Sequence, residues 1–202
     1  MHRIQSYIPP TVTYIDDDNS QKVFVLHEEL GHGGFAFVYR VTLQNTNKSY
    51  AMKVISKEKY SRYQNTTTID KLRNEIEIQM SLNHPNVVQS KYSFSDEFNY
   101  YIVLEYCPGK SVQYLLDNSE QNRLSEKETR KILTDVIQGL IYIQNHQIIH
   151  HDLKLDNFLI GNNGDVKIAD FGLATVLHHF ETKSSIVCGT TNYLSPELLR
   201  YE

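Results

Sequence analysis

Alternating apolar and polar positions organise the first half of the chain into strands. Val23 to Leu30 reads as a strand, and a glycine-rich turn, Gly31-His32-Gly33-Gly34, follows it. Phe35-Ala36-Phe37-Val38-Tyr39-Arg40-Val41 is aromatic and β-branched, so the local pattern is strand, tight turn, strand. Tyr50 to Ile55 supplies a third strand. Over 67–82, Ile69, Leu72, Ile76 and Met80 recur at helical spacing, which predicts an amphipathic helix ended by His84-Pro85-Asn86. Two more strands are expected near 87–95 and 100–105, and Pro108-Gly109 is turn chemistry suited to a hinge. Beyond it, Ser125-Glu126-Lys127-Glu128 has the form of a capping box. The helix behind is expected to bury Ile132, Leu133, Val136, Ile137, Leu140 and Ile141. Short apolar strands flank Asn162-Asn163-Gly164, a hairpin signal. Residues 1–21, with Pro9-Pro10 and Asp16-Asp17-Asp18, read as a tail without a core of its own. Strands first and helices later argue an α+β fold of two lobes. The first is a small antiparallel sheet with one helix, ending near residue 106; the second is mainly helical, over 110–202.

Composition narrows the class without naming it. The chain has 202 residues, 40% hydrophobic and 22% charged, an ordinary globular balance able to bury a core. A net charge of −4 gives no reason to expect nucleic acid or an anionic membrane as partner. Cys107 and Cys188 lie far apart, outside any metal-ligand spacing, as expected of reduced thiols in an intracellular, cytoplasmic or nuclear protein. No run approaches the ~18 apolar residues of a membrane span, and the first ten residues lack a signal-type apolar stretch.

Candidate chemistry sits at three places. Gly31-x-Gly33 alone is weak: a dinucleotide fingerprint requires a helix next, and a strand follows instead. A flap over phosphates fits better, since backbone N–H groups reach an anion where side chains are absent, but a plain glycine hairpin is the stronger reading of this element alone. Lys53, among apolar neighbours in Ala51-Met52-Lys53-Val54, must snorkel out or meet an anion. Glu75, at the edge of the predicted helix's apolar face, is a candidate to pair with it. The specific part is His150-His151-Asp152-Leu153-Lys154-Leu155-Asp156-Asn157 followed by Asp170-Phe171-Gly172. Asp152 suits the acceptor of a hydroxyl proton, and Lys154 suits neutralisation of a migrating phosphoryl group. Asn157 and Asp170 offer oxygen ligands to Mg2+ on phosphate oxygens.

Gly31-x-Gly33-x-x-Ala36-x-Val38, Ala51-Met52-Lys53-Val54, Glu75, His84-Pro85-Asn86, His150-x-Asp152-x-Lys154-x-x-Asn157, Asp170-Phe171-Gly172, Gly189-Thr190 and Ser195-Pro196-Glu197 together resemble the eukaryotic protein kinases, over roughly 24–202. Lys154 and Thr190 look like the serine/threonine branch. Val103-Leu104-Glu105-Tyr106-Cys107 and Val187-Cys188-Gly189-Thr190-Thr191-Asn192-Tyr193 look most like polo-like kinases, with Aurora kinases second. The resemblance implies ATP and Mg2+ as cofactors and a protein substrate with a serine or threonine acceptor. It places ATP in a cleft between the lobes, under the flap Leu30, Gly31, His32, Gly33, Gly34, Phe35, Ala36. The adenine would lie among Leu30, Val38, Ala51 and Leu159, bonded to the backbone at Glu105 and Cys107, with Leu104 guarding the back pocket.

The chain departs from that pattern in three respects. Ala36 replaces the flap's third glycine. His151 replaces the arginine that pairs with a phosphorylated loop residue, and Ile186 stands where the phosphorylatable threonine is expected. Loop phosphorylation at 186 is therefore not expected; Ser184 or Ser185 remain as alternatives, with Lys71 and a protonated His151 as weaker partners. Finally, the family continues past Ser195-Pro196-Glu197 with helices that cover the one beginning near Ser125, so the chain reads as a kinase domain incomplete at its C-terminal end, either a fragment of a longer chain or a truncated product. A non-catalytic nucleotide-binding or regulatory module of the same fold is the alternative.

Overall fold

The computed structural model describes residues 8–33, 36–58, 66–177, 190 and 193; within 66–71 only the backbone is described. Chain contacts divide it into two compact units, Met1–Ile69 with Ser90–Tyr106, and Asp70–Gln89 with Cys107–Glu202.

The first unit is a six-stranded antiparallel sheet. Its strands are β1 (Thr11–Ile15), β2 (Gln21–His32), β3 (Ala36–Leu43), β4 (Ser49–Ser56), β5 (Ser90–Ser95) and β6 (Asn99–Glu105), in the order β1-β2-β3-β4-β6-β5. Alternation along each strand sends one set of side chains into an apolar cluster of Val12, Phe24, Val41, Met52, Val54, Tyr101 and Val103. Aromatic rings fill it: Tyr14 stacks on Phe94 at 4.9 Å and Phe94 on Tyr101 at 5.0 Å between centroids. Burial pushes the Tyr101 hydroxyl up, and the Asp96 carboxylate that accepts its proton at 2.7 Å adds to the effect. The tail reading of 1–21 fails over residues 11–15. Thr-Val-Thr-Tyr-Ile forms edge strand β1, in register with β2 from Thr11↔Val25 to Ile15↔Gln21, and Val12 is buried. An ion pair between Lys22 and Asp16, across the turn joining the two strands, fixes the return of the chain.

The second unit opens with α1 (Thr66–Ser81), most of which groups here rather than with the sheet. It continues through α2 (Val112–Asp117) and α3 (Glu126–Asn145), the pairs β7 (Ile148–Ile149) with β10 (Thr175–Val176) and β8 (Phe158–Ile160) with β9 (Val166–Ile168), and two 3-10 turns, at Glu120–Asn122 and Leu155–Asn157. The capping box forms as expected: the Glu128 N–H donates to Ser125 Oγ, and the Ser125 N–H donates to Glu128 Oε2. The Asn162-Asn163-Gly164 turn joins β8 to β9 with Gly164 at φ 73°. Asn86, after the helix-ending proline, is stitched to β9: its side chain donates to the Val166 carbonyl and its carbonyl accepts from Ile168 N, each at 2.9 Å. Gly139 on α3 permits this approach, because a Cβ there would lie 2.7 Å from the Asn86 carbonyl oxygen. At Gly109, similarly, a Cβ would meet Ile160 at 2.6 Å. The expectation that α3 buries six apolar residues is corrected by half. Val136 is buried and Ile132 and Leu140 pack on apolar clusters, but Leu133, Ile137 and Ile141 are exposed. At spacing i, i+4, i+8 those three form a stripe away from the packed face.

Candidate active site

On the sheet, register places four predicted nucleotide contacts together. Lys53 lies opposite Val38 on one side and Ile102 on the other, and Ala51 lies opposite Leu104. Residues directly opposite share a face, and so do residues two apart along a strand. Val38, Ala51, Lys53 and Leu104 therefore share the face opposite the aromatic cluster. Leu30 and Gly31 lie near the end of β2, where two register shifts fall between Leu26 and Gly31, and His32, the last residue of the strand, pairs with Glu29 at 2.7 Å. The Gly33 N–H closes the turn on the Ala36 carbonyl at 2.8 Å. Gly34 and Phe35 lie outside the described residues. Glu105 ends β6, while Cys107 and Leu159 belong to the second unit, Leu159 being bridged to Ser111.

The second unit gathers the chemical groups of the sequence motif. Asp152 is the focus. One carboxylate oxygen, Oδ2, accepts from Lys154 Nζ at 2.8 Å and from Asn157 Nδ2 at 3.0 Å. The other, Oδ1, accepts the Thr190 N–H at 3.0 Å and the Thr190 hydroxyl at 2.6 Å. Lys154 Nζ also donates to Thr190 Oγ1 at 2.8 Å, which closes the network. Burial alone would raise the Asp152 pKa; the Lys154 and Thr190 hydrogen bonds, the Lys154 charge and the Asn157 bond outweigh it and hold the carboxyl below its ordinary range. An ionised carboxylate with a nearby hydroxyl held on it is suited to receive a proton.

The 3-10 turn at Leu155–Asn157 brings Asn157 back under the loop, where Nδ2 also donates to the Asp152 carbonyl at 2.8 Å. With both amide hydrogens spent on Asp152, its amide oxygen is the end available to a cation. Asp170 follows β9 in left-handed backbone, φ 61°. A Cβ added at Gly172 would lie 3.3 Å from Asp170 Oδ1 and 3.5 Å from Glu75 Oε2, so both carboxylates flank the same turn, with Glu75 buried on α1. Among the described residues no group of three or more His, Cys, Asp or Glu side chains is placed to hold a metal by itself. Two hard oxygen donors without a full cage fit Mg2+, which retains ligands from water and phosphate.

His150 organises the loop from beneath. Its Nδ1 accepts the Asp152 N–H at 3.2 Å, so Nε2 carries the proton and donates to the Ala169 carbonyl at 3.0 Å. Its ring packs edge-on to Phe171 at 4.9 Å. Burial lowers its pKa and keeps the ring neutral, against the smaller opposing pull of the Ala169 carbonyl, Asp170 and Asp152. His151 is not the cation the sequence suggested. Burial lowers its pKa as well, and Nε2 is engaged with Thr175 Oγ1 at 2.8 Å. Ser184, Ser185, Ile186 and the Lys71 side chain fall outside what is described. The role of Thr190 was missed: it served in the sequence only as a branch marker, and its partner Asp152 lies 38 residues away.

Comparison with known proteins identifies the family. A family model described as protein kinase domain matches residues 24–202. The serine/threonine-protein kinase PLK2 of Mus musculus is 39% identical over 191 residues, covering 95% of this chain and 27% of that protein. A probable serine/threonine-protein kinase PLK of Dictyostelium discoideum is 42% identical over 183 residues, 91% of this chain and 18% of its own length. The serine/threonine-protein kinase polo of Drosophila melanogaster is 37% identical over 183 residues, 91% of this chain and 31% of its own. The chain thus spans less than a third of each of these relatives. No described helix is long and apolar enough to cross a membrane.

Proposed function

This chain belongs to the protein kinase family, and from that premise we propose that it transfers the γ-phosphate of ATP to a serine or threonine hydroxyl of a protein. The observation that carries the reading is the convergence of Lys154, Asn157 and Thr190 on the Asp152 carboxylate. In this role Asp152 takes the proton of the acceptor hydroxyl, and Lys154 balances charge on the phosphoryl oxygens as the bond to ADP breaks. The Thr190 hydroxyl, held on both Asp152 and Lys154, supports this reading, since the pair is able to orient a hydroxyl. Asn157 and Asp170 would hold Mg2+, which when bound offsets phosphate charge. Lys53 would contact the phosphates. Leu30, Val38, Ala51 and Leu159 would receive the adenine, with Leu104 guarding the back pocket and the ring edge bonding the backbone at Glu105 and Cys107. The flap from Leu30 to Ala36 would cover the phosphates through its backbone N–H groups.

Phosphate transfer from γ-labelled ATP to serine- and threonine-containing peptides tests the reading. Asp152→Asn should reduce transfer by about 10²- to 10⁴-fold, the usual contribution of a positioned base. Transfer that survives this change at wild-type rate would dismiss the role given to Asp152. Nucleotide binding by the wild-type chain without any transfer would leave the non-catalytic module in its place.

A further inference from the structure

Three consecutive residues of the catalytic loop hold three different segments. His150 donates to the Ala169 carbonyl, immediately before Asp170. Asp152 holds Thr190. Between them, His151 bonds the Thr175 side chain at 2.8 Å. The two adjacent histidines therefore clip the two ends of one short segment, Ala169 to Thr175, and that segment carries Asp170. Backbone pairing at the far end is slight: β10 pairs with β7 only through Thr175↔Ile149 and Val176↔Ile148. Ala174, next to Thr175, is held from the other side, where Asn74 of α1 donates to its carbonyl at 3.0 Å. Asn74 immediately precedes Glu75. The chain around Ala174 and Thr175 is thus a junction of the helix bearing Glu75, the turn bearing Asp170 and the loop bearing Asp152.

His151 reaches that junction from left-handed backbone, φ 63°, a conformation disfavoured for an L-residue unless its surroundings enforce it. It is half-buried, and burial disfavours its charged form. A threonine hydroxyl both donates and accepts, so it satisfies either neutral tautomer of the ring. The contact needs no ionic partner to persist.

We infer that His151 and Thr175 are a positioning pair, whose side-chain hydrogen bond fixes the loop of Asp152 against the segment of Asp170 so that both meet the same phosphoryl group. This rests on the kinase reading above and adds to it a specific device that aligns its two acidic residues. Neither residue touches the reacting atoms; each acts through its neighbour.

The experiment is a double-mutant cycle on the full chain with γ-labelled ATP and a serine peptide. Thr175→Val, which keeps the shape and removes the hydroxyl, should lower kcat about 10-fold while KM for ATP and peptide stays within about twofold, since misplacement rather than lost binding is the defect. Thr175→Ser should restore kcat to within about twofold of wild type. Adding His151→Ala to Thr175→Val should cause no further loss beyond His151→Ala alone. A Thr175→Val enzyme with wild-type kcat, or losses that multiply in the double variant, would overturn the pair. If Thr175→Val does not fold, Thr175→Ala takes its place in the cycle. If the wild-type chain transfers no phosphate, the kinase reading falls by itself. The pair is then judged from ring ¹⁵N resonances: the His151 Nε2 signal should move in Thr175→Val and stay in Thr175→Ser, and an unmoved signal rejects it.

Discussion

The sheet unit and the unit that carries Asp152 solve different problems with the same chain. The sheet is regular. Its strands run up to 12 residues, its core is a single cluster of apolar and aromatic side chains, and its left-handed residues outside glycine are Asn19 and Asn45 among those described. Both are turn asparagines, the residue type that tolerates this backbone best. The other unit, among the described residues, uses strands of two or three residues and two 3-10 turns. It places left-handed backbone at Lys110, Gln121, Asn122, Gln147, His151 and Asp170. Two of those six flank or form the chemistry. Regular structure supplies a face for Lys53; irregular structure lets Lys154, Asn157 and Thr190 converge on Asp152, which no single helix or strand would permit. Precision in the second unit therefore comes from side-chain hydrogen bonds rather than from ladders.

That contrast can be broken at the sheet first. Phe24 is fully buried among Tyr50, Tyr92 and Phe94. Phe24→Ala should cost about 3–5 kcal/mol, read as a drop in the denaturation midpoint. A loss under about 1 kcal/mol would mean that the sheet does not rely on its aromatic core. A smaller effect sharpens the view of the other unit. Gly139→Ala should destabilise by about 1–3 kcal/mol, because the new methyl meets the Asn86 carbonyl and Ile168, even though alanine favours a helix interior by about 1 kcal/mol over glycine. A stabilised variant would show that α3 and the Asn86 segment are free to part. The gentlest test uses pH. His84, His150 and His151 all have pKa values lowered by burial. Their neutral forms are favoured in the folded chain, so the unfolded chain binds more protons as pH falls below its ordinary histidine pKa of about 6.5. Stability should be fully present above that value and decline as pH drops through the lowered folded values. Urea midpoints at pH 7.5 and 5.5 measure it. His151→Gln should reduce the decline, and an unchanged decline would place the buried proton deficit on the other two.

Much of this was legible beforehand, for reasons that differ by element. Strands β2, β3, β4 and β6 follow from alternation, and the Ser125 capping box from a local four-residue pattern, because the forces that make them act within a few residues. β1 was hidden by its flanks: Pro9-Pro10 and Asp16-Asp17-Asp18 look like a tail, while the strand between depends on pairing with β2, which no local pattern records. The buried face of α3 was misjudged because Ile132, Leu133, Val136, Ile137, Leu140 and Ile141 occupy too wide an arc for periodicity to choose a side. The Asp152 cluster was readable as chemistry, since its residue types are rare in that spacing. Its completion by Thr190, and the contact of His151 with Thr175, are long-range facts that depend on how loops close.

The left-handed turn at Asp170 carries a practical warning for anyone engineering a hardier version of this chain. Relieving such positions with glycine is a sound recipe at Gln121 or Gln147, where the side chain has no assigned task. Applied to Asp170, the same recipe would yield a calmer backbone and a protein stripped of the carboxylate to which the proposed function assigns Mg2+.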